Sequence, residues 1–166
     1  RTGHLLICTS NTTELSNLQG SSMSDNPFGT SITSDDILED LEFFDDWEDR
    51  YRYLIDLGKK LPAMPEDEKT DANFVHGCQS QVWISSKFDA ADNTLCFLVD
   101  SDAHIVRGLA AMVMAAFNRR SPQQIIDFNV DDYFGKTQLI QHLSPTRGNG
   151  LKSMVAKIRA AAQASL

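Results

Sequence analysis

Cysteine is scarce in this chain and is not clustered. Cys8, Cys78 and Cys96 are spread over 166 positions, with no Cys-x-x-Cys pair. So dispersed and odd a set gives neither a disulfide framework nor the ligand spacing of a zinc or iron–sulfur site, and a reducing cytoplasm is the expected setting. Positive charge is also short: 15 Lys and Arg stand against 23 Asp and Glu, for a formal charge of −8. A nucleic-acid groove or an anionic membrane surface needs clustered cations, so neither is expected as a partner. No apolar run approaches the about 18 residues of a membrane span. Leu5-Leu6-Ile7-Cys8 is too short even for a secretory apolar region. No internal repeat is visible.

What is present fits one domain with its own core. Residues 1–30 read as a flexible tail, because they are rich in Ser, Thr and Asn without period. Since Arg1 opens the chain and Met23 stands just before the first recognisable block, an upstream non-native extension is an open alternative. Within that tail Asn26-Pro27-Phe28-Gly29 is a turn signal whose Phe28 can tuck onto the domain, which is assigned to residues 31–166. Thr33 or Ser34 caps a helix to about Phe44. Trp47, Tyr51, Leu54 and Ile55 recur as one buried face of a second helix that Gly58 ends.

The acidic runs Asp35 to Asp49 and Glu66 to Asp71 read as a solvated helix face and a loop, or as a docking patch for a basic protein. Phe74-Val75 is a candidate short strand. Residues 81–88 and 95–99, separated by the turn cluster 89–94, predict an antiparallel hairpin. The apolar period from Ile105 to Phe117 predicts a central buried helix, with Gly108 allowing close approach to the sheet. Ser121-Pro122-Gln123-Gln124 predicts a capped short helix, and another is expected around Tyr133 and Phe134. Ser144-Pro145 and Gly148-Asn149-Gly150 are expected to bracket an exposed loop before a last helix carrying Leu151, Met154, Val155 and Ile158.

The chemistry points to Phe74-Val75-His76-Gly77-Cys78-Gln79-Ser80-Gln81-Val82-Trp83-Ile84. Gly77 permits a tight or left-handed turn, so Cys78 sits at a loop tip, and the strand that follows anchors the loop. A thiol attacks as its thiolate, and an ordinary cysteine is only a few per cent ionised at neutral pH. His76 is the nearest candidate helper, with a simple loop hydrogen bond as its alternative role. Cys96, inside a strand, is expected as a packed small hydrophobe. His104 and His142 have no second ligand at metal spacing, so no metal site is expected.

Four blocks in order resemble the SufE/CsdE family of sulfur acceptors. They are Trp47-Glu48-Asp49-Arg50-Tyr51 with Leu57-Gly58-Lys59-Lys60-Leu61-Pro62; Gly77-Cys78-Gln79-Ser80-Gln81-Val82-Trp83; Asp100-Ser101-Asp102 with Ile105-Val106-Arg107-Gly108-Leu109; and Gln141-His142-Leu143-Ser144-Pro145-Thr146-Arg147 with Gly150-Leu151. The resemblance covers roughly residues 28–166. It implies an α+β fold, a small three-stranded antiparallel sheet packed by helices. It also implies that Cys78 accepts persulfide sulfur from a cysteine desulfurase, stimulates that enzyme, and passes the sulfur towards iron–sulfur cluster assembly or another acceptor.

Such a chain is an accessory and no enzyme alone. The pyridoxal phosphate cofactor belongs to the partner desulfurase, SufS-like or CsdA-like, and this chain has no glycine-rich phosphate loop of its own. His76, Gly77, Gln79, Ser80 and Trp83 are then loop supports or partner contacts. Asp100, Asp102 and Arg147 are carried as partner contacts too, with helix capping the plainer role for Ser101 or Asp102 and an ordinary solvated side chain for Arg147. A homodimer is compatible with the resemblance. The competing functions are an iron–sulfur scaffold, which needs several converging thiolates, and a cysteine-nucleophile enzyme, which needs a base and an orienting residue.

Overall fold

The computed structural model describes residues 26–166. Cys8 and residues 1–25 of the tail expected over residues 1–30 lie outside the described residues. The order of elements is α1 (Ser34–Glu42), α2 (Trp47–Gly58), β1 (Val82–Asp89), β2 (Thr94–Ser101), α3 (His104–Phe117), α4 (Pro122–Asp127), α5 (Val130–Thr137) and α6 (Pro145–Ala164). Single 3₁₀ turns at Glu66–Glu68 and Ile140–His142 stand between them.

Apolar residues all round α3 make it the buried centre, and from Leu109 to Phe117 every side chain is in the core. α2 crosses it closely. A Cβ at Gly58 would stand 2.7 Å from the Gly108 nitrogen, and one at Gly108 would stand 2.3 Å from the Leu54 carbonyl oxygen. Gly108 therefore admits α2, not the sheet. The buried face of α2 is Leu54, Leu57 and Gly58. Tyr51, expected inward, lies 39% exposed one step round the helix, while Trp47 stacks on His142 with ring centroids 3.9 Å apart.

β1 and β2 form an antiparallel hairpin in register from Val82 opposite Ser101 to Asp89 opposite Thr94. β2 is buried on both faces: Leu95, Phe97 and Val99 join the main core, while Cys96 and Leu98 pack with Met64 and the half-buried Trp83. The fold is α+β, but the sheet has two strands rather than three. Phe74 contributes one isolated bridge to Trp83, in which Val75 N–H donates to the Val82 carbonyl and the Asn73 carbonyl accepts from Ile84 N–H, each at 2.8 Å. It cannot lengthen into a strand. Before it the chain closes turns, Asn73 N–H to Thr70 and Phe74 N–H to Asp71, and after it Gly77 turns away at φ +96°.

The domain starts before residue 31. Phe28 is fully buried, Asn26 Nδ2 donates to the Phe97 carbonyl at 3.3 Å, and Asn118 joins the two segments. Its Nδ2 donates to the Phe28 carbonyl at 2.9 Å and its Oδ1 accepts from Phe97 N–H at 2.7 Å. Residues 26–30, placed in the tail from composition, are thus ordered by one aromatic side chain and a turn. The last helix also starts earlier than the glycines led us to expect. Ser144 caps it, Pro145 occupies its first turn, and it continues through Gly148 and Gly150.

Candidate functional site

One face of α6 carries the Cys78 loop. Gly150, Ser153 and Lys157 recur at i, i+3 and i+7, one face of the helix, and each meets the segment that leads to or holds Cys78. Lys157 Nζ donates to the Ala72 carbonyl at 2.9 Å. Gly77 rides over Ser153: its φ of +96° disfavours side chains, and an added Cβ would come within 2.8 Å of Ser153 Oγ. Cys78 then turns inward, and its thiol donates to the Gly150 carbonyl at 3.7 Å. A Cβ at Gly150 would lie 3.0 Å from Sγ, so a glycine inside the helix is what makes room for the thiol.

Cys78 is a free thiol, half-buried over a recess of about 10 Å³. That is room for roughly one water-sized atom. Val106, Leu109, Leu151 and Met154 form its apolar lining, with Gln79, Ser80 and Arg147 also on its wall. Burial pushes the Cys78 thiol above its ordinary value, because the charged thiolate loses hydration there. At neutral pH the resting group is protonated, so it is a guarded thiol and not an activated one.

The remaining expected site residues divide sharply. His76 is exposed and sets its ring against Phe74, T-shaped at 4.9 Å between centroids. Gln79 and Ser80 stay beside the thiol. Trp83 is half-buried, 5.9 Å from the Phe74 ring, with Lys69 Nζ 5.4 Å from its own centroid. Asp100, expected at a loop surface, is instead 9% exposed and anchors an ion-pair network. It pairs with Arg107 and, at 3.3 Å, with Lys69, and Arg107 goes on to the Gly58 carbonyl at 3.3 Å.

Asp102 does not cap α3, whose N-cap is Ala103 without a side-chain bond. Its Oδ1 accepts from Gln81 N–H at 3.0 Å, and its own N–H donates to the Gln81 carbonyl at 3.3 Å. This two-bond clamp fixes the end of the Cys78 loop to the start of the central helix. Arg147 sits in the first turn of α6, half-buried on the recess wall. Ser153, Lys157 and Lys69 carry no local sequence signal, because each meets the segment it holds across a long stretch of chain, and Arg107 stands only seven residues from Asp100 within a block of the family resemblance. Gly150 was visible only as a turn former. Among the described residues no three His, Cys, Asp or Glu side chains converge as a metal-binding group. Nor is any described helix long and apolar enough to cross a membrane.

The chain is similar to known proteins over the same span. Residues 35–162 match the family model SufE, described as an Fe-S metabolism associated domain. An uncharacterized SufE-like protein of Rhizobium meliloti (strain 1021) is 50% identical over 134 residues, 80% of this chain and 96% of the relative. A second, from Rhizobium etli, is 46% identical over 127 residues, 75% of this chain and 86% of its own. The solution structure of a hypothetical protein from Thermus thermophilus superposes with a TM-score of 0.65 at 19% identity, covering 80% of this chain and 94% of the other. That last likeness speaks for the fold alone.

Proposed function

The chain belongs to the SufE family, an Fe-S metabolism associated domain, and on that premise we propose that Cys78 is a sulfur acceptor serving a pyridoxal-phosphate-dependent cysteine desulfurase. The observation that carries this reading is a free thiol at a loop tip, backed by an atom-sized recess and flanked by no described base or metal group. Sulfur relay asks for one nucleophilic sulfur and access to it, nothing more.

The step balances without an outside oxidant. The Cys78 thiolate attacks the outer sulfur of the desulfurase persulfide; the new sulfur–sulfur bond makes Cys78 a persulfide, and the desulfurase thiolate leaves with the electron pair of the old bond. The proton lost from Cys78 passes to solvent. Both cysteines keep their summed oxidation state, so the chain needs no cofactor of its own and the pyridoxal phosphate is the partner's. The transferred sulfur then goes on to an iron–sulfur scaffold or another acceptor.

Burial sets the order of events. While Sγ lies against Gly150, its raised pKa and its half-covered position keep it from stray oxidants. For attack, the loop has to draw outward on docking so that Sγ leaves the recess and meets the outer sulfur of the desulfurase persulfide. Gln79, Ser80 and Arg147, which share the recess wall with the thiol, meet the partner or steady the persulfide in this reading.

The test is direct. The protein is incubated with a purified desulfurase and free cysteine without added reductant, and the Cys78 peptide is examined by mass spectrometry. One added sulfur on Cys78, and none on a Cys78→Ser chain, is the expected result. Equal stimulation of cysteine turnover by Cys78→Ser would remove the acceptor role.

A further inference from the structure

The interrupted third strand leaves an open sheet edge. Because Ile84 N–H and the Val82 carbonyl point to the Asn73–Val75 bridge, the even-numbered residues of β1 face away from β2. The same pleat points the Ser86 N–H and carbonyl and the Phe88 N–H outward. No backbone bond to them is formed among the described residues beyond the one bridge. Exposed edges of this kind are usually shortened, charged or covered.

Beside that edge, between β1 and the C-terminal half of α6, lies a groove of about 310 Å³ lined by Ser86, Ile84, Phe97, Ala160, Ala161 and Lys157. Phe88, on the same face and 39% exposed, extends its apolar margin. Among the described residues Lys157 is the one cation lining the groove. Its ammonium spends one bond on Ala72 and meets no carboxylate among the described residues, in a chain with a net charge of −8.

We propose that this edge binds an extended peptide segment of another protein, which completes the third strand by backbone pairing with Ser86 and Phe88 and sets a carboxylate side chain in the groove against Lys157. Strand addition takes affinity from the main chain and specificity from side chains that alternate into the flanking groove. A second copy of this chain is a poor occupant. Two-fold pairing centred on this stretch would bring Lys87 near its own copy, a like-charge pair on one face. None of these residues lines the thiol recess, and Lys157 touches the Cys78 segment only through the Ala72 carbonyl.

The probe is the blocked peptide acetyl-Thr-Val-Glu-Val-Thr-amide, titrated into the full ¹⁵N-labelled chain. Amide shifts clustered at 84–88 and 157–161, with a dissociation constant in the millimolar range or tighter, are expected. The same peptide with Lys in place of Glu should bind about fivefold more weakly, the scale of one exposed ion pair. Ser86→Pro removes an outward N–H without removing a bond to β2, so it should abolish the shifts while the hairpin cross-peaks persist. A backbone N-methylated peptide should be silent on the parent chain, which keeps the test decisive should Ser86→Pro fold poorly. Lys157→Glu should reverse the preference between the two peptides. Absence of shifts at saturating peptide would overturn the proposal. So would concentration-dependent dimerisation through this edge, or binding that appears only after residues 1–25 are removed.

Discussion

Gly150→Ala isolates the link between helix packing and thiol reactivity. The replacement puts a methyl carbon 3.0 Å from Cys78 Sγ and 3.4 Å from its Cα and Cβ. Comfortable non-bonded contact begins near 3.5–4.0 Å, so Sγ must retreat by roughly 0.5–1 Å. The recess, about 10 Å³, is already atom-sized, and the free direction is outward towards solvent. Movement outward breaks the Sγ–Gly150 contact at 3.7 Å and rehydrates the sulfur, so the thiol pKa falls from its raised position towards the usual ~8.5.

Each pH unit recovered multiplies the thiolate fraction at neutral pH by about ten. Stability should barely change: Ala in place of Gly in a helix interior contributes about 1 kcal/mol, and the lost contact costs about the same. The assay is carbamidomethylation by iodoacetamide, followed at the Cys78 peptide by mass spectrometry from pH 6 to 10, with thermal unfolding in parallel. We expect several-fold faster alkylation at pH 7 and a lower midpoint for Gly150→Ala, at a near-parental unfolding temperature. Parental rate and midpoint in a folded Gly150→Ala chain would falsify the idea that Gly150 seats the thiol.

Other expectations follow from the same contacts. In the parent chain, the pH midpoint for Cys78 alkylation should lie above the ordinary ~8.5. By linkage, the folded state holds its proton longer than the unfolded one, so Cys78 leaves stability unaffected below the unfolded pKa and lowers it as pH rises through that value. Comparison with Cys78→Ser over pH 7–10 reads this difference. Asp100→Asn should destabilise by about 2–4 kcal/mol in urea unfolding, because it uncouples Arg107 and Lys69 inside a largely buried network. An unchanged midpoint would mean that solvent already screens those pairs. Phe28→Ala should cost about 3–5 kcal/mol, the cost of a deleted core aromatic. A value near zero would return residues 26–30 to the tail.

Short-range signals fixed much of this protein before any tertiary contact was known. The capping box of Ser121 and Gln124 forms where its spacing placed it, the turn cluster closes the hairpin, and the unbroken apolar run from Leu109 to Phe117 becomes the buried helix. Gly77 before Cys78 marked a left-handed turn, because no other residue adopts that backbone cheaply. These features depend on neighbours within a few positions, so they are written in the local sequence. Tertiary packing decided the rest. Asp100 became an internal anion through Arg107 and Lys69, and Asp102 became a clamp on Gln81 rather than a cap. Gly150, which read as a loop residue, lies inside the helix that Ser144 caps, and its missing Cβ leaves room for a sulfur 72 residues away. The third strand shrank to one bridge because turns on both sides left it no length. Each of these depends on which distant surfaces meet, and a local pattern carries no record of that meeting.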